Sequence, residues 1–457
     1  MKCIDAISVE AENWIQKYSK LGYKVHLIAG KFGEPVDLPH LELPEIDYKH
    51  PEVRGVKSII FGTKLDKQGK KAAEILLNNL TNRIKGPLKK YLTNNKIQIL
   101  SVEDALVSMK NLPLNVALSD LVKDLNMPTI SRFHYFPWDN TYFTKNDNFP
   151  KVTDNIPQKI PNIIYIANTD SARKKLNNLK KINARVIPNT INTDKLITHD
   201  PYNKDFRKDL GIPKDALIFM QPTRAKRNKS VEKAIRIVSE INQITKKDNI
   251  LLITGSPVYQ RGNYFEALIK QMKKLNVNVV FANDRVFLGR HENKDRKFYS
   301  IGDAYEHADF IIYPNTSDAF GNPVIEAAAY GKPLIVNRYP NLDEFLNKGL
   351  KAVVMENKLT QETISDIYEI IADPKKKQDM IENNLKLIKE HYSSDILDEK
   401  LIPILNSFEQ SPGIMTRLSL KFFSRKPKNT KKKVKVTISL HNKKGSYKEP
   451  PQKKKEL

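Results

Sequence analysis

Two carboxylates and two cations stand at spacings that could handle a sugar phosphate. Asp318 and Glu326 flank a short loop in YPNTSDAFGNPVIEAAAY, residues 313–330. The pattern predicts a helix with Asn322 as its N-cap, Pro323 as its first helical residue and Gly331 at its end. A Gly-containing loop that feeds a helix start presents free N–H groups and the positive end of the dipole, which favour an anion. A carboxylate on each side of that anion site can hold hydroxyls on either side of a phosphate, the layout of a sugar nucleotide. An ordinary capped helix would carry the same letters, so the segment alone does not decide. The second constellation is MQPTRAKRNK, residues 220–229. There Arg224 can grip a diphosphate bidentately and Lys229 can add a point charge. A solvated basic loop is the commoner origin of such a run.

Both segments lie where short apolar runs alternate with amphipathic helical patterns. Residues 24–30, 97–102, 128–133, 163–167 and 184–187 read as strands in the first half, with 55–62 as a further one. Helical spacing covers 69–95, interrupted at Gly86-Pro87, and 113–126. In the second half, strands at 216–220, 250–254, 278–281, 310–313 and 333–336 alternate with helices at 230–244, 264–275 and 323–330. Continuous apolar strands between amphipathic helices argue parallel sheets covered on both faces. A Pro/Asn/Thr-rich joint near Pro188 separates two such halves. The expected organisation is a domain over 1–187, a second over 188–390, a C-terminal helix over 391–412 packing back on the first, and a basic, disordered tail over 413–457.

The chain has 457 residues, 40% of them hydrophobic, enough for two or three cored domains and too many for a disordered chain. No apolar run approaches a membrane span, and the N-terminus lacks the apolar core of a secretory signal. Cys3 is the lone cysteine, which excludes an internal disulfide and a zinc-type Cys/His cluster and fits a reducing, cytoplasmic location. The net charge is +25, and residues 411–457 carry fifteen Lys and Arg against two Glu, so about half of the excess sits in a tenth of the chain.

Taken together, the two segments resemble the retaining glycosyltransferases of GT-B architecture, in the large group 1 family of mannosyl- and glucosyltransferases and sucrose synthase. The resembling features are the acid–x7–Glu element Asp318…Glu326 with its Ala-rich helix and Gly331-Lys332-Pro333, and the pair Arg224 and Lys229. They include as well the joint Val186-Ile187-Pro188-Asn189 and the element Asp303-Ala304-Tyr305. In the first half, Arg132-Phe133-His134-Tyr135-Phe136-Pro137-Trp138 is similar to the family's histidine segment, and residues 102–114 resemble a mannosylglucosylglycerate-synthase-like subgroup. The resemblance covers residues 4–410 and implies an α/β fold of two Rossmann-like, doubly wound domains facing across a cleft.

It also implies roles. Arg224 and Lys229 would neutralise the departing diphosphate, and Glu326 would bind the ribose. Asp318, with amides from Phe320 and Gly321 beside Asn322, would hold the donor sugar and β-phosphate. His134 would lie near the donor sugar. The implied reaction passes a hexose from a nucleotide-diphospho-sugar to an acceptor hydroxyl with retention. It uses neither metal nor cofactor, and the leaving phosphate takes the proton. The acceptor stays open among a sugar, a glycerate-like compound and a lipid-linked molecule, and the subgroup leans toward a mannose or glucose donor. Three departures stand out. Asp318 replaces the usual Glu, Thr223 replaces a common Gly, and Met1 lies almost at the first helix, with Ala6 where Gly is expected. A first strand, central in such a sheet, is therefore expected to be missing, or the recorded start to be too late.

The tail mixes apolar and basic residues over 414–426, including Phe422 and Phe423, before the lysine triplets at 431–433 and 453–455. Adhesion to an anionic membrane would put the enzyme at the inner membrane face. Nucleic-acid binding is the less favoured partner, because a basic run supplies no base readout, and a solvated extension is the simplest reading. Two alternatives to the transferase remain open: a degenerate GT-B protein that binds donor without transfer, and a protein acting through its basic tail.

Overall fold

The computed structural model describes residues 6–33, 35–144, 148–256, 263–293, 295–409 and 435–440. In chain order the elements are α1 (Ala6–Lys20), β1 (Lys24–Ala29), β2 (His40–Glu42), α2 (Pro51–Ile60), α3 (Lys67–Asn94), β3 (Ile99–Glu103), α4 (Leu112–Asp124), β4 (Thr129–Phe133), α5 (Pro150–Thr153), β5 (Ile163–Ala167), α6 (Asp170–Lys180) and β6 (Arg185–Val186). There follow α7 (Phe206–Asp209), β7 (Ile218–Arg224), α8 (Val231–Thr245), β8 (Ile250–Gly255), α9 (Tyr264–Leu275), β9 (Asn278–Phe281), β10 (Val286–Phe287), β11 (His291–Glu292), β12 (Lys297–Ser300), α10 (Ile301–His307), β13 (Phe310–Tyr313), α11 (Asn322–Ala329), β14 (Leu334–Asn337), α12 (Asp343–Leu346), β15 (Val353–Met355), α13 (Gln361–Ala372), α14 (Pro374–His391), α15 (Ser394–Glu409) and β16 (Lys435–Leu440). They divide into two compact units, with the main exchange of chain between them near residue 186.

The second unit carries a parallel sheet in the order β15-β14-β13-β7-β8-β9. Its strands are buried on both faces: Phe219, Leu251, Ile253 and Ile312 face one core, while Ile218, Leu252, Ile311 and Val336 face the other. The apolar stripe of α8, Val231, Ala234, Ile235, Val238 and Ile241, is fully covered at 0% exposure. Each valine and isoleucine of the stripe contributes about 1.5–3 kcal/mol relative to exposure. The strand order reverses between β7 and β13, and ligands of open α/β sheets bind at that switch point, beyond the carboxyl ends of the strands.

The sheet of the first unit runs β2-β1-β16-β3-β4-β5-β6. Its central position, expected to be missing a strand, is filled by β16, from within the tail expected to be disordered. β16 lies parallel to both neighbours, Lys24↔Lys435 through Ala29↔Leu440 on one side and Ile99↔Val436 through Val102↔Ser439 on the other. The reason is hydrogen bonding: β1 and β3 are buried almost throughout, and an unpaired buried N–H or C=O costs about 1–3 kcal/mol. The other tail features, Phe422, Phe423 and the lysine triplets, lie outside the described residues, as do Met1–Asp5 and hence Cys3.

Two further expectations change. Residues 55–60, expected as strand, belong to α2: Pro51 sits at the helix start, and Val53, Val56 and Ile60 bury a 3.6-residue stripe. The helix at 69–95 is not interrupted at Gly86-Pro87; α3 runs through Pro87 with Leu77, Leu80, Ile84, Leu88 and Leu92 on its buried face. No described helix is long and apolar enough to cross a membrane.

Candidate functional site

In the second unit, β7 and β13 carry the residues of interest to the switch point. β7 extends to Arg224, further than the apolar run suggests, and Arg224 pairs with Gly255 across a register shift. A Cβ on Gly255 would lie 2.5 Å from the Arg224 nitrogen and 2.6 Å from the Thr223 carbonyl carbon. The glycine that lets the strand ends close is therefore on β8, while Thr223 accepts a 2.9 Å hydrogen bond from Gln221 Nε2. Gln221 Nε2 also donates to the Lys229 carbonyl at 2.8 Å, which pins the turn between β7 and α8. Arg224 is exposed and forms no ion pair among the described residues.

Beyond β13, the loop brings Asp318 to Lys229. Lys229 Nζ stands 2.9 Å from Asp318 Oδ2. The same oxygen accepts from the Tyr313 hydroxyl at 2.6 Å and from Asn315 Nδ2 at 3.3 Å, and Oδ1 accepts from the Phe320 amide at 3.4 Å. Burial pushes the Asp318 carboxyl up, but the Lys229 charge and these donors outweigh it and hold the group below its ordinary value. Asp318 is thus an anion beside a cation at the sheet's switch point.

Gly321 has φ +109° and precedes α11 as its N-cap. Asn322, expected as the cap, is the first helical residue; its side-chain oxygen accepts from Asn189 Nδ2 at 2.8 Å. The left-handed backbone has a packing reason: a Cβ at 321 would lie 2.1 Å from the Tyr339 hydroxyl. That hydroxyl donates to the Phe320 carbonyl at 2.8 Å. Gly321→Ala is expected to destabilise the second unit by about 1–3 kcal/mol through backbone strain and overpacking; chemical denaturation followed by backbone circular dichroism measures it.

Glu326 sits partly buried on α11 and accepts from the Tyr305 hydroxyl at 2.6 Å. Burial raises its pKa, with the Tyr305 hydrogen bond pulling the other way. The element Asp303-Ala304-Tyr305 therefore has two tasks. Tyr305 orients Glu326, and buried Asp303 closes the capping box of α10 while receiving Arg290 at 2.5 Å. Tyr313 and Gly255 were given no role from the sequence, and Tyr305 entered only as part of the element Asp303-Ala304-Tyr305, without its contact to Glu326. A tyrosine ending an apolar strand reads there as core, and its hydroxyl partner is visible only in three dimensions.

His134 lies in the first unit, just after β4, so the structure groups it with other residues than Asp318 and Glu326. Its amide donates to Asp104 Oδ1 at 2.9 Å, and Nδ1 stands 3.4 Å from the same oxygen. Burial works against the imidazolium, but the Asp104 charge prevails and the His134 pKa is raised. Nε2 is buried without a hydrogen-bond partner among the described residues. Asp104 has φ +59°, a left-handed turn that aspartate tolerates. Its carbonyl there accepts from the Val107 and Ser108 amides at 3.0 and 2.8 Å.

Beside this dyad, Arg132 is buried between Glu103 at 3.2 Å and Glu10 at 3.5 Å, with its guanidinium 4.2 Å over the Trp14 ring. Two carboxylates share one cation. Burial chiefly, with some repulsion from Glu103, pushes the Glu10 carboxyl up to about 7 against the pull of Arg132 and His134. The folded chain therefore holds a proton that the unfolded chain has released. That contribution to stability is complete below the ordinary carboxyl range and is lost as pH rises through about 7. It amounts to about 3 kcal/mol at most. Glu10→Gln is expected to flatten the decline of the urea midpoint between pH 5 and pH 8, read by tryptophan fluorescence.

Residues 203–387 match the family model of glycosyl transferases group 1. The second unit is a group 1 glycosyltransferase domain. The Thermotoga maritima mannosylglucosylglycerate synthase is 24% identical over 433 residues, 88% of this chain and 97% of that relative. The solved glycosyltransferase of Rickettsia africae superposes with a TM-score of 0.62 at 15% identity, over 90% of this chain and 97% of that one. The Anabaena HepE structure with UDP and glucose superposes with a TM-score of 0.56 at 14% identity, over 84% of this chain and all of that one. The fold is GT-B, with a Rossmann-like sheet in each unit, and the chain is a sugar-transferring enzyme. In the glycosyltransferase domain, the segment from β13 through α11 and the turn after β7 lie inside the matched residues.

Proposed function

We propose that the chain transfers a hexose from a nucleotide-diphospho-sugar to an acceptor hydroxyl with retention of anomeric configuration. The observation that carries the reading is the Lys229–Asp318 pair at the β7/β13 switch point, with Glu326 eight residues further on, within α11. Arg224 and Lys229 neutralise the diphosphate, and Glu326 takes the ribose hydroxyls. Asp318 and the amides at Phe320 and Gly321 take the donor sugar. The acceptor oxygen bonds to the anomeric carbon as the carbon–oxygen bond to the diphosphate breaks. The electron pair stays on the phosphate oxygen, which takes the acceptor's proton. Position and fixed charge supply the acceleration, so neither a strong protein base nor a metal ion is required.

The name of the Thermotoga relative supports mannose as the sugar and a glycosylated glycerate as the acceptor. The complex of HepE supports UDP beside GDP and ADP as bases to try. The test is nucleoside-diphosphate release from a panel of UDP-, GDP- and ADP-sugars with glucosylglycerate, simple sugars and lipid-linked acceptors. Release from one donor, undiminished by EDTA and lost in Glu326→Ala and Arg224→Ala, is expected. Donor binding without release from any member would replace transfer by a binding role.

A further inference from the structure

β16 reaches the first unit from far along the chain. Its nearest described neighbour in sequence is Glu409, and the residues between them lie outside the described part. Yet it holds the central place of the sheet, parallel to both β1 and β3, with α1 packed across β1 and β16. In a doubly wound sheet this is the place of the strand that directly precedes α1. Here the helix and the strand it covers come from opposite parts of the sequence.

We infer that residues 435–440 are a separable strand that docks into a slot formed by β1, β3 and α1 of the same chain, and that the glycosyl-transfer activity depends on the slot being filled. The register gives the reason for the second half. All three strands run the same way, so Leu440 ends beside Ala29 and Ser439 beside Val102. β3 then ends at Glu103 and the chain turns at Asp104, and their carboxylates hold Arg132 and His134. With the slot empty, β3 becomes an edge strand with one ladder lost. The strand leading into the left-handed turn at Asp104 then keeps a ladder on the β4 side alone, which runs on through Glu103↔Arg132 and the Asp104 amide to the Arg132 carbonyl. The occupant the slot accepts is an extended parallel strand. VTISL alternates apolar and polar residues as a strand requires, and six consecutive pairs align it on β1.

The test uses the full chain with a specific protease site placed after Gly413. After cleavage of the native protein, the fragment of residues 414–457 is expected to stay with the body on gel filtration at the mass of one chain, with activity retained. Stripping the fragment in mild urea and returning the body to buffer is expected to abolish activity and to change tryptophan fluorescence. Both tryptophans, Trp14 and Trp138, belong to the first unit, so that readout is independent of any donor. Adding a synthetic peptide of residues 430–445 is expected to restore both signals. Departure of the fragment with activity and fluorescence unchanged would overturn the inference, and elution at twice the mass would overturn the assignment to the same chain. As a second arm, Thr437→Pro in the intact chain is expected to raise amide exchange at least tenfold in β1 and β3 and to leave β13 unchanged, because proline cannot join a central ladder. Equal exchange in both proteins would also overturn it.

Discussion

Lys229→Ala is expected to lower nucleoside-diphosphate release by about two to three orders of magnitude, the usual consequence of removing one preorganised group that stabilises developing charge. Lys229 is 20% exposed and its partner Asp318 26%. The pair is only partly exposed, so leaving Asp318 without its cation is expected to cost the fold about 1–3 kcal/mol, which the melting temperature reports separately from the rate. Two effects add in the variant. A cation disappears from the diphosphate side, and Asp318 loses the charge that chiefly holds its carboxyl down against burial. The decline should fall on kcat more than on KM, because charge on the leaving oxygen grows toward the transition state. Lys229→Arg should recover part of the rate. A fall of less than tenfold in Lys229→Ala, measured well below its melting temperature, would remove Lys229 from the diphosphate-neutralising role.

Arg132→Met is expected to be the most destabilising single change in the first unit, by about 3–5 kcal/mol at neutral pH. Arg132 is 2% exposed, and Glu103 and Glu10 beside it are equally hidden. Methionine fills much of the volume but leaves two buried carboxyl groups without a cation. They must then be desolvated as anions or take up protons. Lower pH favours the second course, so the loss should be larger at pH 8 than at pH 5. Because both tryptophans lie in the first unit, urea unfolding followed by their fluorescence isolates this unit from the other. A variant within 1 kcal/mol of wild type at pH 8 would mean that the two carboxylates find another partner.

What could be read from the residue string follows from the range of the interactions. The segment 313–330 and the pair Arg224 and Lys229 are local: cap, glycine, acid and base recur at fixed spacing, and the fold places them at one switch point. Tyr305 on Glu326 and Tyr313 on Asp318 are side-chain contacts whose partners are set by packing, so spacing alone does not reveal them. Residues 55–62 failed because glycines at either end imitate strand boundaries, while the deciding stripe, Val53, Val56 and Ile60, begins outside that window. β16 escaped for another reason. Its alternation is plain in VTISL, but lysines before and after it dominate the composition, and its pairing partners are hundreds of positions away.

That distance has a consequence for how the molecule is made. At about 5–20 residues per second, the ribosome delivers β16 roughly 20–80 seconds after β1. For most of that interval both β1 and β3 are already synthesised, and each offers an open ladder. Such edges pair with whatever strand is at hand, which makes the nascent chain a natural client for chaperones. A codon change that slows translation between residues 103 and 435 should therefore lower the soluble yield while leaving the finished protein unaltered.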